Sequence, residues 1–323
     1  MLSAGIDISK KSFDITIIVT NEQLKHHVFS NNLSGFKKLS KWVSAFDDKI
    51  AFCMEATGIY WLNLADYLSE RGCKTVACNP QNTHAFTKVK LNRNKTDKAD
   101  SRIIAEFCNH LIMSNELEKN LYKPKSKAYK DLQNLKYRLE QLGTDLVREN
   151  NRLESVSNKK IILSIKSVIR KINTEINKIK KVIEELIASD PELKNATNRL
   201  KTINGIADKT SWAIMAYLGD ISRFNNSRKV VAYAGLSPAR FDSGSSVKGS
   251  SLSKIGHKKL RKALYMPALV AIQHNPVVRD FYQKLLANGK PKKVALIASM
   301  RKLLVISYGV LKSNTDFDPN YAC

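Results

Sequence analysis

Leu2-Ser3-Ala4-Gly5-Ile6-Asp7-Ile8-Ser9, followed by Phe13-Asp14-Ile15-Thr16-Ile17-Ile18-Val19, is the stretch on which the fold turns. Leu2, Ala4, Ile6 and Ile8 alternate with Ser3, Gly5, Asp7 and Ser9. Alternation with period two on both sides of a polar turn signals a hairpin with one buried face. Working outward, a third strand is expected at residues 26–30 and a basic helix at 36–42. Residues 50–54 form a continuous apolar run ending at Glu55, the pattern of a buried central strand. A helix at 60–71 and a short strand at 75–78 complete an α/β layer, assigned to residues 1–115.

The 323-residue chain has room for two or three domains, and carries 54 Lys and Arg against 29 Asp and Glu, a formal net charge of +25. Such a surface attracts a polyanion, and nucleic acid is the leading partner; ribosome association and a peripheral membrane role share the same charge. Cys53, Cys73, Cys78, Cys108 and Cys323 show neither the paired spacing of a zinc site nor the density of a disulfide scaffold, which fits a reducing cytosol. No leader is expected ahead of the first strand, and no stretch is expected to reach the roughly 20 apolar residues that span a bilayer. A soluble, intracellular protein without a membrane partner is expected.

Beyond the α/β layer the period changes. Leu132, Leu135, Leu139, Leu142, Leu146 and Leu153 recur at helical spacing. After a polar turn at 155–158 the stripe resumes as Ile161, Ile165, Val168, Ile172, Ile176, Ile179, Ile183 and Leu186. This reads as an antiparallel coiled-coil hairpin over residues 116–192, packed within one chain or shared with a second subunit. Residues 193–323 read as a mainly α unit interrupted by one polar loop. Within it, residues 200–210 join two helices through Gly205 and resemble a helix-hairpin-helix element. There, backbone N–H groups at a helix start, with Lys209 beside them, would grip a phosphate. Ala207 stands where that motif usually has a second glycine, and a plain helix–helix turn is the simpler use of the same residues.

In so basic a chain the acids at element ends need a partner. Asp7 lies in the first strand and Glu55 ends the fourth. Asp97 and Asp100 open a helix whose N-cap is Thr96 or Asp97, three residues apart on one helical face. If the four converge, their repulsion calls for cations, and two Mg²⁺ ions about 4 Å apart would meet it while clamping a phosphodiester. Each acid also has a plainer use, as an edge residue or a cap. A second constellation is the Ser/Gly-rich loop that begins at Tyr233 and contains Gly235, Ser237, Ser243, Gly244, Ser245 and Ser246. Lys248, Lys254 and Lys258 surround it, and a basic helix at 257–266 follows. Such a loop lets backbone and hydroxyl groups approach a phosphate, although flexible connectors have the same composition.

Taken together, Gly5-Ile6-Asp7-Ile8-Ser9-Lys10, Glu55-Ala56-Thr57-Gly58, Asn79-Pro80, Lys95-Thr96-Asp97-Lys98-Ala99-Asp100, Gly235-Leu236-Ser237-Pro238, Ser243-Gly244 and Ser253-Lys254-Ile255-Gly256 resemble the DEDD transposases of bacterial insertion sequences. Some members of that family are guided by a bridge RNA, and the related pilin-gene DNA invertases share the layout. The resemblance covers nearly the whole chain. It implies an RNase H-like, Holliday-junction-resolvase-like N-terminal fold, with Asp7, Glu55, Asp97 and Asp100 as a Mg²⁺ tetrad that Mn²⁺ could also occupy. It further implies Ser243 as the nucleophile, Ser245 and Ser246 being local rivals. DNA, a structured guide RNA and a dimer or tetramer are the implied partners, with one subunit's tetrad serving another's serine in the bacterial nucleoid. No GxxxxGK[ST] nucleotide loop is present, as fits strand exchange that conserves phosphodiester energy. The competing readings are a DNA invertase, a metal-dependent junction-resolving nuclease that leaves Ser243 idle, and a non-enzymatic nucleic-acid-binding protein.

Overall fold

Pairing of the N-terminal apolar face produces antiparallel strands β1 (Leu2–Ile8) and β2 (Ser12–Ile18), with Asp7 opposite Asp14 and Gly5 opposite Thr16. The computed structural model describes residues 1–20, 23–89, 96–243, 247–253 and 255–320. Strand β3 (Leu24–Ser30) pairs antiparallel with β2. Helix α1 (Leu33–Val43) starts where the Asn32 side chain accepts the Gly35 N–H at 2.9 Å. Then β4 (Ile50–Glu55) adds parallel to β1, α2 (Leu62–Ser69) follows, and β5 (Lys74–Cys78) adds parallel to β4. Helices α3 (Pro80–Val89) and α4 (Asp97–Met113) come next. The sheet order is β3-β2-β1-β4-β5, so β4 is an interior strand and β1 takes the middle place expected for it.

Side-chain alternation gives this mixed sheet two different faces. Ala4, Ile6, Phe13, Ile15, Ile17, Phe52 and Met54 pack with Phe36, Leu39, Leu64 and Leu68 of α1 and α2. Each fully buried Leu, Ile or Phe there contributes roughly 1.5–3 kcal/mol of transfer free energy. On the other face, Ala51, Cys53, Val76 and Cys78 meet Ile104, Cys108 and Leu111 of α4. Gly5 is what lets α4 lie on β1. A Cβ there would come within 2.0 Å of the Ala105 nitrogen and 2.2 Å of the Ser101 carbonyl oxygen. The buried hydroxyls of Thr16 and Ser101, 2.8 Å apart, tie the same helix to β2.

The chain divides into compact units Met1–Pro124 and Lys125–Cys323. The second begins with α5 (Lys127–Glu154) and α6 (Lys159–Ser189), which pack as a helical hairpin. The inward stripe of α6 is Ile162, Ile165, Ile169, Ile172, Ile176, Ile179 and Ile183. Ile161 and Val168, expected on it, are 49% and 44% exposed. Choosing Ile162 and Ile169 keeps alternating three- and four-residue steps, which hold a stripe on one side of a helix. Helices α7 (Pro191–Lys201), α8 (Asp208–Leu218) and α9 (Ser227–Ala234) follow.

The expected polar loop is instead a two-stranded ribbon, β6 (Pro238–Ser243) and β7 (Val247–Leu252), in register from Pro238 opposite Leu252 to Ser243 opposite Val247. Composition hid it, because backbone pairing satisfies a Ser-rich ribbon without an apolar run. The single helix expected at 257–266 is α10 (Lys258–Ala263) and α11 (Tyr265–His274), divided at Leu264 just ahead of Pro267. Helices α12 (Pro276–Ala287) and α13 (Lys292–Ser313) end the fold. Against expectation, α13 is long and apolar enough to cross a membrane by composition. Its Leu296, Met300, Leu303, Leu304, Ile306 and Val310 instead lie buried in the core of the second unit.

Candidate active site

The four acids singled out in the sequence converge on the α4 face of the sheet. Asp7 shares the side of β1 occupied by Gly5, and Glu55 shares the side of β4 occupied by Cys53, because residues two apart point the same way. Thr96, not Asp97, caps α4: its hydroxyl accepts the Ala99 N–H at 3.2 Å. Asp97 thus has no capping task and stands exposed in the first turn with half-buried Asp100. A helix start favours negative charge there. The Asp7 carboxyl is pushed up to about 6 by burial, then by the charges of Asp100, Asp97, Glu55 and Asp14. That ordering places all three partner acids within electrostatic reach of Asp7.

Two hydroxyls orient Glu55. Thr57 Oγ1 donates to Oε1 at 2.5 Å and Thr83 Oγ1 donates to Oε2 at 2.9 Å. Thr83 reaches it from the first turn of α3, which opens with Asn79 Oδ1 accepting the Gln81 N–H and Pro80 in first position. The Asn79-Pro80 pair entered the sequence reading only as a motif of the family resemblance, and Thr83 lies on the first turn of the helix it opens. Its contact with Glu55 crosses two elements and was missed. Also missed were Asp14, beside Asp7, and His26, whose Nε2 lies 2.9 Å from Asp14 Oδ1.

Among the described residues, no three His, Cys, Asp or Glu side chains are gathered closely enough to hold a metal ion ready-made. The donor set nevertheless suits a hard divalent cation: all oxygen, with one carboxyl raised first by burial and then by its neighbours' charge. An arriving cation would replace that proton and relieve the repulsion.

In the second unit Ser243 is the last paired residue of β6, at the open end of the ribbon. Ser245, Ser246 and Lys254 lie outside the described residues. The motifs flanking the serine form the foot of the ribbon. Gly235 ends α9 in the left-handed conformation, and a Cβ on Gly256 would fall 2.5 Å from the Gly235 nitrogen. Ser253 N–H donates to the Ser237 carbonyl at 3.0 Å. Lys248 sits in β7, and Lys258 is exposed at the first position of α10.

Gly205 joins α7 to α8 with φ +103°, and its missing Cβ makes room for Ala271 of α11, so packing alone accounts for this glycine. Asn204 Nδ2 donates to the His274 carbonyl at 3.2 Å and braces the turn. Lys209 is exposed beside it, on an open groove of about 680 Å³ lined by Ala207, Trp212 and Met266.

Comparison with known proteins agrees with this geometry. A DEDD transposase family model of the IS110 type matches residues 4–158, and a model described as transposase IS116/IS110/IS902 family matches residues 197–283. The pilin gene-inverting proteins of Moraxella bovis and Moraxella lacunata are each 35% identical over 325 residues, covering 97% of this chain and 97% of theirs. An uncharacterized 43.6 kDa protein of insertion element IS110 from Streptomyces coelicolor is 25% identical over 119 residues, covering 37% of this chain and 29% of that protein.

Proposed function

Because the chain belongs to the IS110/IS116/IS902 family of transposases, DNA-acting recombinases with a general divalent-metal dependence, we propose that it breaks and rejoins DNA through a covalent phosphoserine intermediate. Asp7, Glu55, Asp97 and Asp100 would hold Mg²⁺, or Mn²⁺ in its place. Bound there, the cations supply charge neutralisation at a non-bridging phosphate oxygen and at the leaving oxygen. The observation that carries this reading is geometric: Asp7 and Glu55 lie on the sheet face that α4 covers, and Asp97 and Asp100 open that helix.

In the first step the Ser243 hydroxyl loses its proton, an Oγ–P bond forms, and the bond from phosphorus to the DNA 3′ oxygen breaks, that oxygen leaving as a 3′ hydroxyl. In the second, a 3′ hydroxyl from the exchange partner attacks the same phosphorus and frees the serine. Bond energy is conserved, so no nucleotide is consumed. Ser243 ends a ribbon that pairs with no other described strand, a carrier suited to presenting a nucleophile.

The sheet order, with β1 to β3 antiparallel and β4 and β5 parallel to β1, supports an RNase H-like reading of the first unit. Val147, Leu163 and Val182, exposed on the α5–α6 hairpin, support coiled-coil assembly into a dimer or tetramer. The tetrad of one subunit would then serve the serine of another. The positive charge suits a structured guide RNA as well as DNA, with Gly205, Lys209, Lys248, Lys254 and Lys258 as backbone contacts. Work on DNA would put the protein with the bacterial nucleoid. Inversion of a fixed segment is a second reading, favoured by the near full-length match to pilin gene-inverting proteins. It uses the same chemistry on two sites in one molecule.

Denaturing the protein on DNA carrying its own flanking sequences, then digesting and weighing the peptides, tests the mechanism. A phosphonucleotide on Ser243 is expected, and Ser243→Ala should abolish adduct and recombination while DNA binding persists. Recombination by that variant, or nicked DNA without an adduct from the wild type, overturns the assignment.

A further inference from the structure

Among the described residues of the second unit, Arg223, Lys125 and His257 form a group of bases with no ion-pair partner. Arg223 lies against the rings of Phe224 and Tyr233, 4.7 and 4.8 Å from their centroids, and its Nε and Nη2 are buried without a hydrogen-bond partner. A buried guanidinium with unmet donors is costly, so an unmet Arg fork marks a place for an oxyanion. Lys125 and Lys259 carry the other positive charges felt at His257, and Lys125 Nζ donates to Gln133 Oε1 at 3.2 Å. Burial, then Lys125, Lys259 and Arg223, pull that imidazole down to about 4. Burial and Arg223 hold the Lys125 ammonium down to about 8. His257 Nδ1 accepts the Leu260 N–H at 3.1 Å as the cap of α10, which leaves Nε2 carrying the proton of the neutral ring, as a donor.

The nearby carboxylates are otherwise engaged. Glu140 receives Lys259 at 3.4 Å, Lys136 at 3.8 Å and the Tyr217 hydroxyl. Asp220 accepts the N–H and hydroxyl of Ser222. The group also has a telling position. His257 N–H donates to the Tyr233 carbonyl at 2.6 Å, and Gly256 packs on Gly235, so the bases lie at the foot of the ribbon that carries Ser243.

We propose that Arg223, Lys125 and His257 form a phosphate-binding site that takes a backbone phosphodiester of the DNA at the foot of the serine ribbon. The Arg fork supplies paired donors to the non-bridging oxygens, Lys125 supplies charge, and His257 Nε2–H adds a third donor. The choice of DNA as the source of the phosphate rests on the recombinase reading. The site itself rests on the unmet donors.

The test is binding of the full-length protein to a short labelled duplex in chelator, where recombination is silent, across a range of salt. Arg223→Gln is expected to weaken binding roughly tenfold and to lower the salt slope by about 1. Should that variant not fold, Lys125→Gln carries the same expectation for the slope. In parallel, NMR titration of the His257 ring should show its protonation moving to higher pH when the duplex binds. Wild-type affinity and slope in the folded variants overturn the proposal. So does a His257 response to inorganic phosphate that the duplex does not reproduce, since the site would then take a free anion. Loss of recombination with this binding intact would count against Ser243 or the tetrad and not against the phosphate site.

Discussion

The acid cluster of the first unit and the basic cluster of the second are opposites built by different means. Asp7, Glu55, Asp97 and Asp100 are brought together by a sheet and a helix locked in contact at Gly5, so their spacing is a property of a packed core. Lys125, Arg223 and His257 come from the residue ahead of a helix cap, a short turn and a helix cap, and Arg223 lies against aromatic rings. Both concentrate like charge and both shift a titrating group toward its neutral form. Rigid packing suits ions that tolerate little error in geometry, whereas ring-lined bases suit a phosphate that arrives with its strand.

Breaking the rigid side of this contrast should have the largest effect. Gly5→Val puts atoms where the Ala105 nitrogen and Ser101 carbonyl now lie, which drives α4 off β1. A loss of about 3 kcal/mol in chemical denaturation is expected, together with loss of metal-dependent activity. A stable, active Gly5→Val protein would show that the acids do not depend on this contact.

A smaller change isolates orientation from packing. Thr83→Val removes the hydroxyl held by Glu55 Oε2 and keeps the side-chain shape. Recombination should slow about tenfold, with weaker dependence on Mg²⁺ and little change in Tm. A rate equal to wild type would mean that Thr57 alone holds Glu55.

The smallest effects are in pH dependence, where the two clusters should pull in opposite directions. Asp7 has a folded pKa of about 6 against 3.8, so its contribution to stability is fully present below 3.8 and is lost as pH rises through 6. His257, held at about 4 against 6.5, contributes stability above 6.5 that is lost as pH falls toward 4. Metal-free Asp7→Asn should therefore be more stable than wild type at pH 7, by about 1 kcal/mol after allowance for solvent screening, and the gain should fade by pH 4. Saturating Mg²⁺ should reverse the order. A gain that persists unchanged at pH 4 would show that repulsion is not its cause.

Much of this was legible before any coordinates. Period-two alternation located β1 and β2 and put Asp7 on the same strand face as Gly5, while residues 50–54 read as a buried strand ending at Glu55. The DxxD spacing and Thr96 described the start of α4. These features are local, and sterics and hydrogen bonding within a few residues govern them. The ribbon around Ser243 was not legible as strands, because cross-strand backbone pairing leaves little mark on composition. The α6 stripe was legible from Ile172 to Ile183 but not at its start, where neighbouring isoleucines offered two phases and only the packed partner chose Ile162 and Ile169.

Composition and period were thus enough for a basic chain with an α/β unit, four acids and a serine-bearing segment, and the motifs' resemblance to transposases added the action on DNA. Which groups meet across long separations was beyond them. Glu55 finds Thr83, Gly5 receives α4, and Arg223 comes to share a site with Lys125 and His257 only once the chain is packed. The physical reason is that contacts between distant segments are set by how whole faces fit, a cooperative property with no counterpart in the identity of any single stretch.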